Sequence, residues 1–142
     1  MNEILTSSLY ALGYGAVGTA IMLLGYLITD LLTPGKLHKL IWEERNPNAV
    51  LLVSANTLGA AVVIVSAILS SFSELGLGAG LLSASVFGLI GLAVMAASFL
   101  IIDLFTPTSV RAVIANSEFH PATWVSATAH LSIALVVAAA IS

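Results

Sequence analysis

Four uninterrupted apolar runs dominate the chain: Ser8–Thr29, Asn48–Ser71, Ala79–Ile102 and Thr123–Ile141. Each is close to the ~20 residues that an α-helix needs to cross ~30 Å of hydrocarbon. They are continuously apolar, where a half-buried strand or a membrane barrel strand would alternate. Backbone polar groups in lipid find partners only inside helices or closed barrels, so four membrane helices are expected. Composition agrees. With 59% hydrophobic and 8% charged residues, and a mean hydropathy of +1.10, the chain falls far from a soluble domain, in which about 25% of residues are charged. The expected fold class is all-α, one membrane domain over residues 1–142.

The same composition excludes several function classes. A net charge of -3 with only four Lys and Arg leaves no basic surface for nucleic acid. There is no cysteine, so disulfides, thiolate metal sites and Cys nucleophiles are ruled out. Met1-Asn2-Glu3 lacks the positive start of a signal peptide, and the first apolar run is expected to be retained.

The basic residues suggest an orientation. Lys36, Lys39 and Arg45 lie between the first two runs and Arg111 between the last two. The positive-inside rule then puts residues 31–47 and 104–121 in the cytoplasm and both termini outside. Trp42 and Trp124 fall at the cytoplasmic interface, where amphipathic rings sit well at headgroup level.

Both cytoplasmic connections follow one pattern. Thr33-Pro34 and Thr106-Pro107 read as N-cap and first helical residue. Leu37, Leu40 and Ile41 then stand at i, i+3, i+4, as do Val110, Val113 and Ile114. Each reads as a short helix on the membrane surface, with Lys36, Lys39 or Arg111 toward lipid phosphates. Pro47 and Pro121 open the next membrane helices, behind Asn46 and His120.

This pattern belongs to a longer duplication. A shift of 73 pairs Gly15 with Gly88, Gly18 with Gly91, Met22 with Met95, Asp30 with Asp103, Thr33 with Thr106 and Pro34 with Pro107. About half the positions from Tyr14 to Pro34 are identical to their counterparts. One further residue in the second copy pairs Pro47 with Pro121 and Asn56 with His130. Two tandem helical hairpins, about 8–71 and 79–142, are expected to be related by a pseudo-two-fold axis along the membrane normal.

Several residues admit both a structural and a functional reading. Gly15, Gly18 and Gly25, with Gly80, Ala84, Gly88 and Gly91, form small-residue faces. They serve close packing within the chain or a subunit interface. Asp30 and Asp103 fix the turns that follow them, or form a pair on a cation or proton path. Asn56 and His130, about 13 Å past their prolines at 1.5 Å per residue, are interhelical hydrogen-bond partners or the lining of a polar path. Ser54, Thr57, Ser126 and Thr128 stand near them in sequence. The cluster Glu43, Glu44, Arg45 and Asn46 reads as a solvated loop or a docking point for a cytoplasmic partner.

No phosphate loop, dinucleotide motif, HExxH or GxSxG occurs. The Gly-x-Gly-Asp of intramembrane aspartyl proteases is missing too, because Asp103 follows Ile101-Ile102. His38, His120 and His130 are scattered, and no cofactor or metal is expected. The partners expected are the bilayer itself, anionic headgroups, and further copies or a larger membrane complex.

Asp30-x-x-Thr33-Pro34-Gly35, followed by Ile41-x-Glu43-Glu44-x-Asn46 and the small residues after Ala49, resembles the YjfL-like family. These are small bacterial inner-membrane proteins of unknown function built from a duplicated two-helix unit. The resemblance covers nearly the whole chain, although Thr108 replaces the glycine in the second copy and Ser117-Glu118 the acidic pair. It implies an integral bacterial membrane protein and brings no reaction or catalytic residues. The expectation is a non-enzymatic membrane subunit, a scaffold or accessory component; a small channel or transporter using Asp30, Asp103, Asn56 and His130 is the alternative.

Overall fold

The computed structural model describes residues 2–33, 35–72, 76–105 and 110–142. Four helices are long and apolar enough to cross a membrane. They are α1 (Asn2–Leu32), α2 (Pro47–Leu69), α3 (Leu77–Phe105) and α5 (Ala122–Ile141). A π-helical turn (Lys39–Glu43) lies between α1 and α2, and the short α4 (Val110–Ala115) between α3 and α5. Among the described residues there is no strand. Mixed polar and apolar faces are nearly absent from the four long helices, as expected where lipid replaces water on the outside. Leu12, Leu23, Leu27, Leu31, Leu82, Val125 and Val136 are all exposed.

Helix lengths differ within each hairpin. α1 has 31 residues and α3 has 29, so each rises more than 40 Å at 1.5 Å per residue. α2 has 23 and α5 has 20, close to the hydrocarbon thickness.

The most extensive packing joins α2 and α5. Their seam is built from small residues, which let two backbones approach where lipid supplies no hydrophobic drive. A methyl group at Gly59 would stand 2.8 Å from Ala134 Cβ. Further along the seam, Ser66 Oγ donates to Ala138 O at 2.6 Å. α3 packs on both members of this pair, whereas α1 packs on α2 and α3.

The two hairpins have similar interiors. Gly18 of α1 meets Ile64 and Ile68 of α2, and Gly91 of α3 meets Val137 and Ile141 of α5. α1 and α3 are not level, however. Ile21 packs on Gly88, the counterpart of Gly15, so the two helices are offset by six residues, or about 9 Å.

The first connection, between α1 and α2, departs from the expected caps. Thr33 closes α1, with its N–H and its Oγ1 both donating to Thr29 O, at 3.0 and 2.8 Å. The acceptor for the next helical start is Asp30, whose Oδ1 receives Leu37 N–H at 2.7 Å. The carboxylate reaches over the turn, and the threonine hydroxyl remains in the α-helical ladder. Pro34, Thr106 and Pro107 lie outside the described residues.

The apolar stripes of the two connections turn inward. Leu37 is fully buried, and Leu40, Val113 and Ile114 are buried too. Leu40 and Ile114 share one cluster with Ala49, Leu52 and Ala127. The connections thus close the end of the bundle with their apolar faces, while Lys36, Lys39 and Trp42 remain exposed.

Candidate functional site

The closing end is locked by two asparagines that flank Pro47. Asn46 is the N-cap of α2, its Oδ1 accepting from Asn48 N–H and Ala49 N–H at 3.0 and 3.1 Å. Its Nδ2 donates across to Ile114 O at 2.6 Å and Asn116 O at 3.1 Å. Asn48 is fully buried. Its Nδ2 donates to Glu118 O at 2.8 Å, with Val113 O and Asn116 O each at 3.2 Å. Its Oδ1 accepts from Thr123 Oγ1 at 2.7 Å and His120 N–H at 2.9 Å. Sequence reasoning passed over Asn48. The only hint was the Asn-Pro-Asn triplet at a helix start, and nothing in that triplet names partners some 70 positions away.

Above this lock lies a cavity to which all four spans contribute. α1 supplies Thr29, the residue following α1 supplies Thr33, α2 supplies Asn56, α3 supplies Met95 and Phe99, and α5 supplies His130. Its walls are otherwise aliphatic, and it is partly open to its surroundings.

The polar groups at its edge have fixed roles. Thr29 Oγ1 donates to Gly25 O at 2.9 Å, so its lone pair can accept from Asn56 Nδ2. That bond turns the amide nitrogen toward α1 and leaves the Asn56 carbonyl oxygen unused among the described residues. His130 is 4% exposed. Its Nδ1 lies 2.6 Å from Ser126 O. A carbonyl only accepts, so Nδ1 carries a proton and donates to it. Nε2 is buried and has no hydrogen-bond partner among the described residues. Phe99 lies against the ring with centroids 5.0 Å apart.

The aspartates are elsewhere. Asp30 and Asp103 do not line the cavity; Asp30 caps the turn at Leu37, and Asp103 sits half-buried near the end of α3. Of the four candidate path residues, the structure brings Asn56 and His130 together.

Five of the six glycines singled out for helix contact, Gly18, Gly25, Gly80, Gly88 and Gly91, are buried inside the chain. Gly15 is exposed, and a methyl group there would meet nothing within 4 Å. Trp42 and Trp124 are 72% and 59% exposed. Lys39 pairs with Glu44 at 3.5 Å on the surface. The Arg111 side chain lies outside the described atoms.

Among known proteins, the family model described as Domain of Unknown Function (DUF350) matches residues 3–141. The UPF0719 transmembrane protein of Mycolicibacterium paratuberculosis is 37% identical over 142 residues, covering 100% of this chain and 93% of that protein. UPF0719 transmembrane protein Mb2631 of Mycobacterium bovis is 34% identical over 129 residues, 91% of this chain and 84% of that protein. A UPF0719 transmembrane protein of Mycobacterium tuberculosis is similar to the same degree. No solved structure matches the chain.

Proposed function

The chain belongs to the DUF350 family, and we propose that it is a non-enzymatic membrane subunit that assembles with further copies of itself. The observation that carries this reading is the contrast between Gly15 and Gly88. They are counterparts in the duplication, yet α1 covers Gly88 through Ile21, and no described residue covers Gly15. Ala11, Gly15 and Thr19, spaced by four and all exposed, give α1 a small-residue outer face of the kind on which membrane helices associate.

The narrower features belong to the same reading. The protein sits in the bacterial inner membrane with residues 31–47 and 104–121 in the cytoplasm, supported by the exposed Lys36, Lys39 and Trp42 at one end of the bundle. These residues and Trp124 stand at headgroup level, where the lysines suit anionic lipid. The kinship is to the YjfL-like proteins, through Asp30-x-x-Thr33-Pro34-Gly35. Two hairpins arose by duplication, supported by the matched seats of Gly18 and Gly91. The two-fold axis passes by α2 and α5, and α1 and α3 have slipped from it by about 9 Å at 1.5 Å per residue.

Mass measurement in mild detergent tests the assembly. Wild-type protein is expected as an oligomer, and Gly15→Leu as a folded protomer with unchanged helical content. A wild-type protomer, or an undisturbed Gly15→Leu oligomer, would defeat the reading.

A second reading, a small channel or transporter, is favoured by Asn56 and His130 lining one cavity among four spans. It requires ion flux in reconstituted liposomes that changes with Asn56→Leu. Folded protein that conducts nothing would remove it.

A further inference from the structure

We propose that the cavity between the spans is a slot for one acyl chain of a phospholipid whose phosphate is held by Lys36. The inference needs only that the protein crosses a bilayer, and it stands whether or not α1 mediates assembly.

Three observations lead there. The first is shape. α1 lines the cavity with Gly25, Ile28, Thr29 and Leu32, and α3 lines it with Leu92, Met95, Ala96 and Phe99. Both sets have the i, i+3, i+4, i+7 spacing of one helix face. The cavity therefore follows the helix axes for two turns, about 10 Å at 1.5 Å per residue. It is pinched at one end, where a methyl group at Gly25 would stand 3.2 Å from Leu92 Cδ2 and 3.9 Å from Ala60 Cβ. A length of about 10 Å is two thirds of the hydrocarbon depth of one leaflet, about 15 Å.

The second is the chemistry of the wall. Its polar side chains are Thr29, Thr33, Asn56 and His130. Each gives a proton to a partner inside the protein, respectively Gly25 O, Thr29 O, Thr29 Oγ1 and Ser126 O. The rest of the wall is apolar. A hydrocarbon chain makes dispersion contacts with it, whereas a polar ligand would lose its hydration there. The cavity is partly open, and the medium around four spans is lipid.

The third is the charge beside the cavity. Thr33 lines the end away from Gly25. Asp30 Oδ1 accepts Leu37 N–H at 2.7 Å, which folds the backbone over the end of α1. Lys36 precedes Leu37 in that fold and is exposed. Lys39 is paired with Glu44, and Lys36 has no ion-pair partner among the described residues. A lipid phosphate at headgroup level supplies one, since lysine binds phosphate as a point charge.

The test is native mass spectrometry of the full chain, delipidated in detergent and titrated with dioleoylphosphatidylglycerol or with dioleoylglycerol, which has the same chains and no phosphate. Wild-type protein is expected to keep one phosphatidylglycerol per chain after looser lipids have been stripped. Dioleoylglycerol is expected to be held about tenfold more weakly, as is phosphatidylglycerol by Lys36→Gln, the scale of one lost bond to a charged group. Lys36→Arg is expected to restore retention. Ala96→Phe puts a ring into the slot and is expected to abolish retention with unchanged helical content. Val53→Phe does the same from the α2 wall. The comparison of the two lipids on wild-type protein decides the matter even where neither variant folds. Equal retention of both lipids, undiminished retention by a folded Ala96→Phe or Val53→Phe, or binding with no single retained lipid would overturn the proposal. Lipid is counted per chain, so the outcome is read apart from the oligomeric state.

Discussion

At the scale of single residues, two kinds of side chain hold the bundle together, and both give measurable predictions. Asn48 is buried and joins α2 to five groups of the second connection and of α5. Asn48→Leu leaves these carbonyls and the His120 N–H without their partner. It is expected to lower stability by about 2–3 kcal/mol, the cost of leaving buried partners unsatisfied, as measured by denaturant unfolding in detergent. Glycines supply the second kind. A methyl group at Gly91 collides with the fully buried Val63, so Gly91→Ala is expected to cost about 1–3 kcal/mol through overpacking. The same change at Gly15 meets open space and removes a glycine from a helix interior. Gly15→Ala is expected to raise the stability of the protomer by up to about 1 kcal/mol. Sequence alone did not separate these glycines, since both stand in the same repeated pattern. Their difference arises from what stands opposite each in the bundle, Val63 of α2 for Gly91 and open space for Gly15, which no local feature encodes.

At the scale of elements, the termini of the spans were legible and their caps were not. Pro47 opens α2 behind Asn46 as the sequence suggests, because proline suits the first helical position wherever it occurs. Thr33 looked like a cap for the same local reason, yet it ends α1 and leaves the capping to Asp30, seven residues before Leu37. Capping by Asp30 has a consequence that separates it from a role in ion passage. Asp30→Asn keeps an acceptor oxygen and is expected to leave the Leu37 amide protected from hydrogen exchange. Asp30→Ala removes the acceptor, is expected to cost about 1 kcal/mol, and should expose that amide. Equal protection in both variants would show that the cap is dispensable. The apolar stripes at Leu37, Leu40, Val113 and Ile114 were visible as periodicity. Periodicity says that one face is buried, and the choice between lipid and the ends of α2 and α5 rests on what stands opposite.

At the scale of the whole molecule, four spans and two cationic turns define a topology open to labelling. With Lys36→Cys, a membrane-impermeant thiol reagent is expected to react only from the cytoplasmic side; reaction from the periplasmic side alone would invert the orientation. The spans themselves were determined by the sequence. Transfer of about twenty apolar residues from water to hydrocarbon outweighs any local preference, and backbone hydrogen bonding in lipid then leaves the helix as the available form. The pairing of those spans was decided by tertiary structure. Between apolar helices in an apolar solvent, association depends on shape and on a few hydrogen bonds, and shape is a property of two surfaces in register. That is why Asn56 and His130 could be marked as unusual from the chain alone, while the cavity they share and the distant carbonyls around Asn48 emerged only when the helices were brought together.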